Sequence, residues 1–197
     1  MKPPYKELRE AVCDNDPAAV EEMIQRGADI TETDNVGNSL LMWAAQGRED
    51  TARTLIAHDA DVNHKNGAGY TALMWASTWK HTSIARLLIE SGADINAQRD
   101  GGESVLMMAA TAGAADIVKL LLEKGVDVNA RNNLGRTVMD ALDNDGRISA
   151  IAMKDLIKNH RVRIETAAQK AESDDVSARV RHLKQRAPKV RLKGLGL

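Results

Sequence analysis

The apolar positions of Thr71 to Gln98, TALMWASTWKHTSIARLLIESGADINAQ, fall into two short runs broken at Lys80-His81. In the first run Leu73, Met74, Ala76 and Ser77 pack inward from about two helical turns. Thr71 stands where an N-cap hydroxyl would accept a bond from the first turn. In the second run Ile84, Ala85, Leu87, Leu88 and Ile89 form a broad apolar face. Ser91-Gly92 ends that helix, with Gly92 in the left-handed C-terminal position. Two short one-sided helices cannot bury a core alone, so they need neighbours.

The chain supplies copies. GADI- or GVDV-like segments begin at Gly27, Asp59, Gly92 and Gly125, spaced 32, 33 and 33 residues apart. The helix-opening hydroxyl recurs at Ser39, Thr71, Ser104 and Thr137 with the same spacings. Two independent markers share one period, and a period of about 33 holding a turn and two helices is the ankyrin pattern. The stretches DNVGNSLLMWAA, GAGYTALMWAS, GGESVLMMAA and NNLGRTVMDAL resemble the ankyrin-repeat family's D-x-x-G-x-T-P-L-H-x-A-A. The resemblance implies an all-α repeat solenoid, an ankyrin-like stack of about five helix–turn–helix repeats with hairpin loops. It sets repeats at 5–33, 34–65, 66–98, 99–131 and 132–160. A basic C-terminal tail over 161–197 follows, partly helical or disordered. The family's Pro is replaced by Leu40, Ala72, Val105 and Val138, and its His by Met42, Met74, Met107 and Asp140. Met in that place is similar to many bacterial members. In the family that His ties its helix to the neighbouring turn, whereas Met contributes only packing, so no polar clasp is expected there.

The end repeats differ from the middle ones in polarity. The first holds Leu8, Ala11 and Val12 inward but shows Glu7, Arg9, Glu10 and Asp14, as a cap with one wet face does. Its second helix, after Asp16-Pro17, holds Val20, Met23 and Ile24. The second repeat is one residue short, at Gln46-Gly47. The fifth places Asp140, Asp143 and Asp145 in its first helix or the following turn, and Met153, Leu156 and Ile157 in a second helix displaced by about two residues relative to the period.

Composition sharpens two points. Hydrophobic residues make up 43% of the chain, yet Phe is absent and aromatics are 3%, so the core must be Leu, Ile, Val, Ala and Met. The net charge of -1 hides an asymmetry: residues 1–157 carry 16 Lys and Arg against 24 Asp and Glu, and residues 158–197 carry 11 against 4. After Asp175 the run Arg179, Arg181, Lys184, Arg186, Lys189, Arg191 and Lys193 meets no acid. Val176, Val180 and Leu183 fit a short amphipathic helix from Ser173. MKPPYKELREAV has no apolar signal core, and no apolar run reaches membrane-spanning length. A cytoplasmic monomer is expected, and the single Cys13 excludes an internal disulfide.

Catalytic chemistry is not visible. His58, His64, His81, His160 and His182 are scattered without metal-ligand spacing. DALDNDG is similar to a calcium loop, but Ala141 and Ala152 stand where its first and twelfth ligands belong. Cys13 has no base in register to activate it. The ladder of Met42, Met74 and Met107 reads as core rather than as a copper stripe. No cofactor, no metal and no enzymatic role are expected.

The site must then be a surface. The resemblance implies a concave face of hairpin tips and first helices. On this chain it maps to Val36, Asn38, Trp43, Gln46, Tyr70, Trp75, Thr78, Trp79, Glu103, Met108, Ala112 and Arg136, together with Ala68, Asp100, Thr111, Leu134 and Asn144. Trp43, Trp75 and Met108 share one aligned position, where the alternative is to fill the seam between repeats. Trp79 follows Trp75 by four residues, which predicts that the two stack along one helix face. The leading expectation is a non-enzymatic module gripping another protein in this groove, as scaffold, inhibitor or immunity-type protein. The rival is an adaptor whose basic tail binds nucleic acid or anionic membrane non-specifically.

Overall fold

The computed structural model describes residues 4–143, 150–163, 166 and 169–170. The chain divides into two compact units, 1–157 and 158–197. In the second unit the described residues are helical, and Thr166 Oγ1 donates to the Val162 carbonyl at 2.6 Å. Asn144, Asp145, His182, the helix expected from Ser173 and the seven cations from Arg179 to Lys193 lie outside the described residues.

The first unit is an all-α repeat solenoid. Its helices are α1 (Tyr5–Cys13), α2 (Pro17–Gln25), α3 (Leu40–Ala44), α4 (Glu49–Ala57), α5 (Ala72–Trp79), α6 (Thr82–Glu90), α7 (Val105–Ala112), α8 (Ala115–Glu123) and α9 (Val138–Asp143). Residues 150–157 are helical as well. First helices α1, α3, α5, α7 and α9 each pack on the next, as do second helices α2, α4, α6 and α8, giving two layers. Among the described residues the extended elements are two isolated bridges, Thr33–Ser39 and Gln98–Ser104, which pinch hairpin loops.

Local chemistry sets each boundary. Ser39, Thr71 and Ser104 accept through their hydroxyls from the N–H groups of Met42, Met74 and Met107. This satisfies donors that the first turn leaves open. At α9 the same hydroxyl, Thr137, works reciprocally with Asp140, whose carboxylate accepts from Thr137 N and Oγ1 at 2.7 and 2.8 Å. Those donors hold the Asp140 carboxyl below its ordinary range. The second helices end in a left-handed residue: Gly27, Gly92 and Gly125, but Asp59 in the second repeat, at φ +61°. The missing residue of the second repeat shortens α3, which ends at Ala44 while α5 and α7 run eight residues.

The core is built from columns that repeat with the period. Leu41, Leu73 and Leu106 are buried in the first-helix layer, as are Met42, Met74 and Met107 beside them. Leu55, Leu88 and Leu121 form the matching column in the second-helix layer, and Met23 continues it half-buried in the cap. Many of the polar ties between repeats sit in the turns. Gly67 N, Asp100 N and Asn133 N donate to the Val36, Ala68 and Gly101 carbonyls of the preceding hairpin. Asn63 and Asn96 accept from the N–H groups of Asp94 and Asp127 one repeat on. Hairpin-to-hairpin bonds of this kind connect the repeats, where the methionine position contributes packing.

Candidate partner-binding groove

Hairpins and first helices together shape the groove, and one column controls the hairpins. Asp34, Asn66 and Asn132 occupy the same repeat position. Each accepts through Oδ1 from the N–H groups two and four residues later. Such an Asx turn closes the loop without help from the rest of the fold. At Asp34 burial raises the pKa, but the N–H groups of Asn38 and Val36 and the Asn38 amide outweigh it and hold the carboxyl below its ordinary range. The fourth member of the column is Arg99, which cannot accept. Gln98 closes that loop instead, donating through Nε2 to the Gly102 carbonyl at 2.7 Å. Arg99 is left free to lie across the first-helix face, its guanidinium carbon 5.2 Å from the Tyr70 ring centroid and its Nε 3.2 Å from Glu103 Oε2.

Around that arginine the structure opens a cavity of about 550 Å³. Of the residues expected to meet a partner, it brings together Tyr70, Thr78, Glu103, Met108, Ala112 and Arg136, with Thr111. Four lining residues escaped the sequence reading: Arg99, Met107, Asn132 and Ala141. Arg99 carried a usable signal, being the one departure from an otherwise Asx column. Met107 did not, because its buried core position hides the part of it that reaches the cavity wall. The cavity's polar groups are the Arg99–Glu103 pair, Arg136 and Asn132, and its walls are Met and Ala. The hydroxyls of Thr78 and Thr111 donate to the Met74 and Met107 carbonyls at 2.9 Å, so both threonines are committed to their own helices.

A second recess, of about 240 Å³, adjoins the first and shares Tyr70 and Thr78 with it; Trp75 and Trp79 complete its wall. Trp79 is 57% exposed. Trp75 is half-buried and pairs with Trp43 of the preceding repeat, ring centroids 6.2 Å apart at 58°. The expected Trp75–Trp79 stack is replaced by this pairing across the seam, because adjacent first helices bring aligned side chains as close as one helical turn does. Arg9 lies over the Trp43 ring at 5.6 Å.

The remaining expected residues lie elsewhere. Val36 is exposed at a hairpin tip, and Gln46 is half-buried at the end of the short α3 turn. Asn38 is only 5% exposed, so this hairpin residue is turned inward. Its amide donates to Asp34 Oδ2 at 3.0 Å and accepts from Asn66 Nδ2 at 2.7 Å, tying two hairpins together. That work takes it out of the contact set.

Three of the histidines have structural neighbours in the array. His58 Nε2 lies 2.6 Å from Glu21 Oε2 across the second-helix layer, and His64 Nε2 lies 2.8 Å from the Gly37 carbonyl. The His81 ring lies over Gly47, where a side chain would collide with it. Among the described residues no group of three or more His, Cys, Asp or Glu is placed to hold a metal ion. Nor is any described helix long and apolar enough to cross a membrane.

Comparison with known families agrees with this architecture. A model described as ankyrin repeats in three copies matches residues 8–99, and one described as ankyrin repeats in many copies matches residues 88–141. No curated protein matches the chain. Ankyrin repeats are in general protein-binding modules and typically not enzymes. With its period, its paired helix layers and matches that together span residues 8–141, the chain belongs to the ankyrin-repeat family.

Proposed function

We propose that the array is a non-enzymatic module that binds another protein across the groove of its third to fifth repeats. The observation that carries this reading is the grouping of Trp79, Tyr70, Arg99 and Arg136 around two adjoining cavities. Trp, Tyr and Arg are the residue types most enriched where binding energy concentrates. The acidic balance of residues 1–157 favours a basic partner by steering its approach.

Trp79→Ala tests it. A truncated Trp anchor costs about 2 kcal/mol or more, near thirtyfold in affinity. Partner capture should fall by that much, while the melting temperature stays within a degree or two of wild type because the side chain is mostly exposed. A control on the outer layer, Lys119→Ala, should capture normally. A Trp79 variant that melts much earlier yet binds normally when folded would assign the side chain to the core and remove the reading.

The second reading, an adaptor whose basic tail binds nucleic acid or anionic membrane, is supported by the acid-free run of seven cations after Asp175. The tail has no aromatic residue for stacking on bases, so binding would be non-specific and steeply salt-dependent. Removing residues 161–197 should leave circular dichroism and melting of the array intact. If the truncation also abolishes salt-dependent binding to duplex DNA or anionic vesicles, this reading gains; if the full chain binds neither, it falls.

A further inference from the structure

We propose that the recess of Tyr70, Trp75 and Trp79 takes an arginine side chain of the partner protein, held against the ring faces. The inference rests on the groove reading above and specifies its chemistry.

The first observation is what the recess offers. Three aromatic residues and one threonine form its wall, and the threonine hydroxyl is spent on the Met74 carbonyl. Beside the partnerless indole N–H of Trp75, what the recess chiefly offers an incoming group is ring faces, and ring faces attract cations, most of all a planar guanidinium that can stack as well. The second observation is that the chain meets this need twice with its own residues. Arg9 lies over Trp43, the repeat-equivalent of Trp75, and Arg99 lies over Tyr70. Among the described residues no such cation covers Trp79, the most exposed ring of the set. The third is charge: the array carries 24 Asp and Glu against 16 Lys and Arg over residues 1–157, so a cationic segment is drawn toward it. Glu103, in the wall of the adjoining cavity, is already paired with Arg99 at 3.2 Å, so the attraction comes from the overall charge of the array. A partner arginine on Trp79 would thus repeat an arrangement already present at the two neighbouring rings.

The test uses the full chain and three small probes: N-acetyl-arginine methylamide, its uncharged isostere N-acetyl-citrulline methylamide, and N-acetyl-leucine methylamide. Three tryptophans give three indole N–H resonances; Trp79→Ala and Trp43→Phe each identify one by its loss, and the third is then Trp75. The arginine probe should shift the Trp75 and Trp79 signals saturably, about two- to fivefold more tightly than citrulline. The Trp43 signal, whose ring Arg9 already covers, should stay in place, and Trp79→Ala should abolish the Trp75 response. Equal or tighter binding of citrulline or leucine would overturn the proposal in favour of an uncharged side chain. So would an equal shift at Trp43, which would mark non-specific contact with an acidic protein. If the probes fail while partner capture still depends on Trp79, the groove reading stands and this proposal falls. If the arginine probe behaves as expected but capture ignores Trp79, the recess chemistry stands and the groove reading falls.

Discussion

Leu106→Ala cuts the first-helix column where it carries most. Leu106 is fully buried in α7, and α7 packs on α5, α8 and α9, so the helix serves both its own repeat and the two beside it. Its column mates Leu41 and Leu73 are equally buried, while the last member, Met139 in α9, is half-buried. Truncation leaves a void that cannot easily collapse, because α7 is pinned at its start by the Ser104 cap and at its end by left-handed Gly113. The cost should therefore lie within the range for fully buried Leu→Ala, about 2–5 kcal/mol. For a unit of this size that lowers the melting temperature by roughly 4–20 °C. Met139→Ala, with water on one side and fewer neighbours, should cost less than half as much. Urea titration followed by circular dichroism measures both, with an unchanged slope showing that the same surface unfolds. Hydrogen exchange adds location: in a stack of nearest-neighbour contacts, lost protection should centre on α7 and α9 and fade toward α1. A loss below about half a kcal/mol at Leu106, or a larger loss at Met139, would refute the register on which every assignment above depends.

Two further predictions follow from single contacts. The His58 ring, then Gln25, hold the Glu21 carboxyl below its ordinary value of 4.5, so the stabilisation is complete above about pH 4.5 and is lost as pH falls through the lower folded value. Melting curves between pH 3 and 6 should show His58→Ala converging on wild type at the acid end, and a gap that stays constant with pH would reject the linkage. Gly92→Ala and Gly102→Ala both place a side chain at positive φ, +89° and +77°, but an added Cβ at Gly92 meets nothing within 4 Å whereas at Gly102 it comes within 2.6 Å of Asn133 N. The first should cost about 1–2 kcal/mol in melting experiments; the second should cost more and expose the Asn133 amide to exchange, and equal effects would show that only the backbone angle matters.

Much of the fold was legible because it is periodic. The hydroxyls at Ser39, Thr71 and Ser104 were readable as caps since each stands one residue before an apolar run. Asp59 takes the left-handed place that glycine holds in three other repeats, which register indicates and which Asp tolerates better than most residues. Legibility failed where a side chain's partner lies one repeat away. Asn38 looked like an exposed hairpin polar group, yet its neighbours Asp34 and Asn66 satisfy its amide so completely that burial costs little. Trp75 looked like half of an intrahelical pair with Trp79. A helix of two turns lying against the first helix of the preceding repeat has a second neighbour across the seam, and Trp43 occupies it.

The same periodicity says where to look for function. A repeat position is under one structural demand in every copy, so a copy that answers the demand differently is answering something else. Arg99 stands in a column where Asp34, Asn66 and Asn132 close their own loops, and its loop has to be closed by Gln98. Trp79 ends a first helix where the next repeat has Ala112, and it gains little burial for its size. Neither residue is what the stack requires. Yet both converge on Tyr70, Arg99 over its ring and Trp79 across the shared recess. Two departures from the period, in adjacent repeats and meeting at one side chain, are what the proposed groove reading expects of a shared contact, and the Trp79→Ala capture assay tests it.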